Sequence, residues 1–135
     1  MRETGGIKRW GENRQDARNA RTIATEFDVT VREDRIHGVT VYWVDPPRVA
    51  PEHKNHLFVH VHGGARLFNG GVGATTEAAL IAARDGIPVV SIDYRRAPEF
   101  PHPAAMDDIV AVWSELLKTH SASQMALGGT SAGGN

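Results

Sequence analysis

Hydrophobic and polar positions follow three different rhythms along the chain. From Asn13 to Phe27, the apolar residues Ala17, Ala20, Ile23, Ala24 and Phe27 recur at spacings of three and four. That predicts a helix with a thin apolar stripe. The period then falls to two. Val29 and Val31 alternate with polar neighbours, as do Val39, Val41 and Trp43, which predicts two strands paired as an antiparallel hairpin with one wet face. Arg35 to Gly38 supplies the turn, with Gly38 free to take a positive φ. Pro46 and Pro47 end the second strand because neither can donate to a ladder, and a polar loop runs from Pro47 to Asn55.

Beyond this loop the elements alternate. Leu57 to Val61 is a short strand-like run, and Thr75 to Arg84 is an Ala- and Leu-rich helix with Gly86 as its cap. Ile87 to Ile92 is nearly all apolar, as a strand covered on both faces should be. Ala104 to Lys118 is the strongest helix. Ala105, Ile109, Val112 and Leu116 form its stripe, widened by Met106, Trp113 and Leu117. Pro103 precedes its start, and Asp107 and Asp108 lie in the first turn, where the helix dipole favours anions. Gln124 to Leu127 begins another strand, followed by the Gly-rich segment Gly128 to Asn135. The order strand, helix, strand, helix, strand predicts an α/β fold. Its sheet is mostly parallel, with an antiparallel N-terminal hairpin. Loops at the C-terminal ends of parallel strands carry chemistry, and both Gly-rich segments fall there.

Composition narrows the class. The 135 residues are 41% hydrophobic and 23% charged, which suits a soluble globular domain, or part of one, and excludes a disordered tail or a collagen-like repeat. Lys plus Arg number 15 and Asp plus Glu 16, a net charge of −1, so no basic excess points to nucleic acid or an anionic membrane. Cysteine is absent, which removes disulfides, thiolate metal sites and a cysteine nucleophile. No apolar stretch approaches the roughly 20 residues of a membrane span. Met1 to Trp10 lacks the apolar middle of a signal peptide, so the expected location is cytoplasmic. Trp10, Trp43 and Trp113 read as packing residues.

Two segments carry chemistry. Gly129-Thr130-Ser131-Ala132-Gly133 is a G-x-S-x-G sequence directly after a predicted strand. A serine nucleophile must project from a tight strand-to-helix turn, and flanking glycines remove side chains that would collide in it. The N–H of Ala132 can then face a developing oxyanion. His62-Gly63-Gly64-Ala65 follows the Leu57–Val61 strand. Its adjacent glycines leave the N–H groups of Gly63 and Gly64 unobstructed as further oxyanion donors, like the HGGG-type loop that partners such a turn.

With these segments in view, the chain resembles the N-terminal part of the hormone-sensitive-lipase-like family of α/β-hydrolase esterases. HVHGGA (60–65), DYRRAPEFPHPAAMDD (93–108) and GGTSAGGN (128–135) carry the resemblance, over roughly residues 27 to 135. Thr130 before the serine is like the family's GTSAG branch, where another branch has Asp. The resemblance implies that Ser131 is the nucleophile and that Gly63, Gly64 and Ala132 match oxyanion-hole positions, whereas His62 matches a structural position. It implies no cofactor or metal, and it makes residues 1–27 a helical cap-like segment ahead of a partial hydrolase domain at 28–135.

In this fold the acid and the histidine follow the serine along the chain, and only four residues follow Ser131. The expectation is a hydrolase truncated after the nucleophile turn, with its last strand left as an apolar edge. Among upstream groups, His62 and His102 are weak substitutes for the base, and Asp93 is better read as a loop anchor. His56, His60 and His62 are permissive for a metal but have no carboxylate close in sequence. The glycines of 128–134 lack the lysine of a phosphate loop. Arg95 and Arg96 are expected to anchor a loop through Asp107 or Asp108. Two readings follow. One is a serine carboxylesterase for small esters or lactones, its acid and base supplied by a missing C-terminal half or a partner chain. The other is a non-catalytic module that docks a partner through the open sheet edge.

Overall fold

The computed structural model describes residues 3–135, with side chains from residue 14 onward; the packing role expected of Trp10 lies outside the described residues. Helix α1 spans Glu3–Glu26 and so starts ten residues before the periodic stripe. Strands β1 (Thr30–Ile36) and β2 (Val39–Asp45) form the predicted hairpin. Its turn is tighter than Arg35 to Gly38: Ile36 still pairs with Val39, and only His37 and Gly38 turn, at φ 51° and 79°. Two successive positive φ values give a primed turn, whose twist matches that of the strands. Strand β3 (Leu57–Val61), helix α2 (Thr75–Asp85), strand β4 (Val89–Ile92), helix α3 (Ala104–Leu116) and strand β5 (Met125–Gly129) complete the order. Gly86 caps α2 at φ 62°, its N–H bonded to the Ala82 carbonyl.

The sheet order is β1-β2-β4-β3-β5. β4, β3 and β5 run parallel, while β2 joins β4 antiparallel. This corrects the wet-faced hairpin. Only β1 is mostly exposed; in β2, Val41, Tyr42 and Val44 are all buried, because β2 lies inside the sheet with both faces covered.

Side chains divide by the two-residue period of each strand. Leu57, Val59, Val61, Val90 and Ile92 face α3 and pack on Ala105, Val112 and Leu116. Val44 and Val89 face the other way, onto Ala78, Ala79 and Ala82 of α2. His60 and Ser91, cross-strand partners in the β3–β4 register, also belong to this second face. Helix α1 leans on α2 and on the 3-10 turn Gly71–Ala74, with Ala20 buried and Phe27 left exposed at its end. On α3 the widened stripe is realised only at Trp113, which packs against the core beside Ile109. Met106 and Leu117 are exposed, and the buried position next to the core stripe is Asp108. No helix among the described residues is long and apolar enough to cross a membrane.

Candidate active site

The end of β5 turns sharply at Ser131. Thr130 is still extended, whereas Ser131 has φ 53°, in the left-handed region. A non-glycine residue there costs about 1–2 kcal/mol and persists only where its surroundings impose it. Here the chain continues as the 3-10 turn Ser131–Gly134, closed by the Gly133 N–H on the Thr130 carbonyl at 2.8 Å. The glycines allow close approach. A Cβ on Gly129 or Gly133 would run into the Val61 carbonyl, and one on Gly134 would stand 2.8 Å from the Gly129 oxygen. The glycine requirement is therefore backbone packed on backbone, not a cradle for phosphate.

Gly63 lies against this turn. A Cβ there would stand 3.0 Å from the Thr130 oxygen and 3.4 Å from the Ser131 Cβ. The two peptide planes of the His62-Gly63-Gly64 loop are held from one side. The Tyr94 hydroxyl donates to the His62 carbonyl at 2.7 Å. The His62 Nδ1–H donates to the Gly63 carbonyl at 2.7 Å, and the Asn69 amide reaches the same oxygen at 3.4 Å. In a trans peptide the N–H points opposite to the C=O. The N–H of Gly63 thus points away from the Tyr94 phenol, and that of Gly64 away from the His62 imidazole and the Asn69 amide. Among the described residues neither N–H donates to a backbone carbonyl. Gly64 sits at φ 111°, with no room for a Cβ beside the Phe68 carbonyl.

A second set of contacts ties α2 to the Ser131 turn. Glu77, in the first turn of α2, accepts from the Thr130 hydroxyl at 3.1 Å and from His60 Nε2 at 2.8 Å. A carboxylate only accepts, which puts the His60 proton on Nε2 and makes the Ser91 hydroxyl the donor to Nδ1, at 2.9 Å. Burial depresses the His60 pKa, against an opposing pull from Glu77. Burial likewise pushes His62 down to about 4, so both rings are neutral at neutral pH.

These groups surround a cavity of about 410 Å³. Ser131, Gly63 and Gly64 line it together with His60, His62 and Glu77; Ala132 is the second residue of the 3-10 turn and does not line it. His102 stands exposed in the loop before α3, away from the cavity. His56 bonds His53 at 3.0 Å instead of joining His60 and His62, and no cluster of three or more metal-ligating side chains exists among the described residues. Arg95 takes Asp108, with its guanidinium 2.9 Å from the carboxylate and its N–H at 2.8 Å. Arg96 corrects the expected pairing, because it holds Asp93 at 2.6 Å and neither Asp107 nor Asp108. Glu77 and Asn69 carried no recognisable signal in the sequence, and Tyr94 stood out only as part of the 93–108 segment, not as a partner of the glycine loop. Each lies outside the Gly-rich segments and acquires its place only through packing.

Known proteins are similar to this chain. A family described as the alpha/beta hydrolase fold matches residues 58–135. Tuliposide A-converting enzyme 2 of Tulipa gesneriana is 36% identical over 130 residues, covering 84% of this chain and 33% of that enzyme. The chain therefore spans about a third of the length of the curated relatives it matches. The crystal structure of an esterase, E25, superposes with a TM-score of 0.87 at 45% identity, over 93% of this chain and 39% of that one. An esterase of the bacterial hormone-sensitive lipase family superposes at 0.71 with 27% identity, over 98% of this chain and 49% of the other. With its strand order, its nucleophile-type turn and these likenesses, the chain belongs to the hormone-sensitive-lipase-like family of the α/β-hydrolase fold.

Proposed function

We propose that this chain carries the nucleophile and oxyanion-hole half of a carboxylic ester hydrolase acting on small esters or lactones. Ser131 attacks the ester carbonyl, and its oxygen forms the new bond as the carbonyl π electrons move onto oxygen. Gly63, Gly64 and Ala132 donate N–H bonds to that oxyanion. Collapse expels the alcohol and leaves an acyl-serine, which water hydrolyses. Among the described residues no histidine hydrogen-bonds Ser131: His60 is engaged at both nitrogens, His62 turns Nδ1 to Gly63, and His53 and His56 bond each other. In this reading the general base is a histidine that follows Ser131 in a longer polypeptide or comes from a partner chain, as the triad order of this fold requires; it takes the Ser131 proton and returns it to the departing alcohol. Residues 1–27 act as a cap segment, since α1 packs on the Gly71–Ala74 turn whose Gly73 and Ala74 line the cavity.

The observation that supports this reading most directly is the left-handed Ser131, seated on Gly63 beside two peptide planes held from behind. A fluorophosphonate probe with peptide mass spectrometry tests it, applied to the polypeptide or complex that also supplies the histidine, since an unassisted serine is a poor nucleophile. The expected adduct is on Ser131 and is lost in Ser131→Ala. Folded protein with its histidine supplied that takes no label at Ser131 would sink the esterase reading. One observation favours a second reading, of a non-catalytic module docking a partner. β5 is an edge strand, and Leu127 on it is 53% exposed. Absent labelling combined with a stable complex through β5 would favour it.

A further inference from the structure

We infer that Glu77 is a positioning residue for the nucleophile turn, acting through the hydroxyl of Thr130; the inference rests on Ser131 being the nucleophile. Ser131 is held in an unfavourable conformation, so its neighbours must impose it. Thr130, the residue before it, is tied at both ends. Its carbonyl accepts from the Gly133 N–H, and its hydroxyl donates to Glu77. The first tie closes the turn on itself and cannot fix it relative to the rest of the molecule. The second crosses from the turn to α2, 53 residues away in sequence.

Glu77 is itself aimed. His60 lies wholly buried between Ser91 on β4 and the Glu77 carboxylate. Its single donated proton fixes the Glu77 oxygen that Thr130 also uses. Glu77 also sits in the first turn of α2, at the positive end of the helix dipole, which favours a negative side chain. A linked set of donors to one charged acceptor is stronger than the same bonds between neutral groups. The chain Ser91–His60–Glu77–Thr130 thus anchors the nucleophile turn to the buried sheet. None of its four members touches the ester-bond atoms in the proposed mechanism.

The identity of residue 130 follows from this chemistry. A hydroxyl can donate to Glu77, whereas an aspartate, as in the family's other branch, would set a second carboxylate against it. Glu77 is therefore the partner that a threonine at 130 needs.

The test measures two things in parallel on folded protein with its histidine supplied, in a longer polypeptide or by the partner chain: amide hydrogen exchange at Ser131 and Ala132, and the labelling of Ser131 by the fluorophosphonate, resolved into kinact and KI. Thr130→Val should speed exchange at both amides and lower kinact, each about tenfold, with KI unchanged. Thr130→Ser, which keeps the hydroxyl, should restore both. Thr130→Asp should be worse than Thr130→Val, and Glu77→Gln in the Thr130→Asp background should recover much of the loss. Thr119→Val, whose hydroxyl bonds the Leu116 carbonyl at the end of α3, away from the cavity, should change neither measurement. The inference is overturned if Thr130→Val leaves exchange unchanged, if Thr130→Ser fails to restore it, or if Glu77→Gln gives no recovery. Wild-type protein that takes no label but still shows the exchange pattern would remove the esterase reading and keep the anchor.

Discussion

The ring of Tyr94 lies flat on the imidazole of His62, centroids 4.1 Å apart and planes within 8°, while its hydroxyl holds the His62 carbonyl. One side chain thus sets both the plane of the ring and the direction of the peptide that follows it. The ring in turn sets the next peptide through Gly63. Two candidate oxyanion donors are oriented by a single stack of aromatic rings.

Tyr94→Phe keeps that stack and removes only the hydroxyl. Since the His62 carbonyl would be left without this donor, a stability loss of about 1–3 kcal/mol is expected. Relaxation of the peptide should lower kinact for the fluorophosphonate about tenfold. Urea denaturation and labelling kinetics check the two effects separately. A variant that loses stability yet labels at the wild-type rate would break the link between the phenol and the oxyanion loop.

Three glycines near Ser131 should differ sharply on substitution. Gly133→Ala and Gly129→Ala each drive a methyl into the Val61 carbonyl, which is backbone and cannot swing away. A destabilisation of about 1–3 kcal/mol is expected from such overpacking, together with loss of Ser131 labelling. Gly128→Ala meets only the tip of the Phe58 ring, at 2.8 Å, and a ring can shift. Thermal melts of the three variants should rank Gly128→Ala as the mildest.

Acid should weaken the fold through His62. Its folded pKa, about 4, lies below the ordinary value of 6.5, so the unfolded state binds the proton more readily. Stability from this group is fully present above pH 6.5 and is lost as pH falls toward 4, by about 3 kcal/mol in all. Nε2 is buried with no hydrogen-bond partner, and a proton placed there would make an unpaired charge. His62→Asn, which cannot titrate, should flatten this part of the pH–stability curve. Urea midpoints measured between pH 7 and pH 4 would show it.

The edge of β5 should make the chain self-associate. Leu127 is exposed on a strand with an unpaired side, a template for pairing. Leu127→Lys is expected to reduce concentration-dependent association in sedimentation velocity while leaving Ser131 labelling unchanged. If association persists undiminished, it runs through another surface.

The sequence by itself determined the order of elements and the place of the Gly-rich turn at Ser131. Periods of two and of three to four residues report which positions meet a core, and paired glycines report where backbones must come close. Both signals are local, so β3, α2 and the Ser131 turn were legible at nearly their observed limits. Tertiary structure alone decided that β2 is buried on both faces, that Arg96 takes Asp93, and that Glu77 and Tyr94 stand behind the site. Those facts depend on which strands become neighbours. His60 meets Ser91 only because β3 and β4 pair in one register, and Thr130 meets Glu77 only because β5 then lies beside β3. A carboxylate on a helix and a hydroxyl 53 residues later share no pattern along the chain; the sheet brings them together.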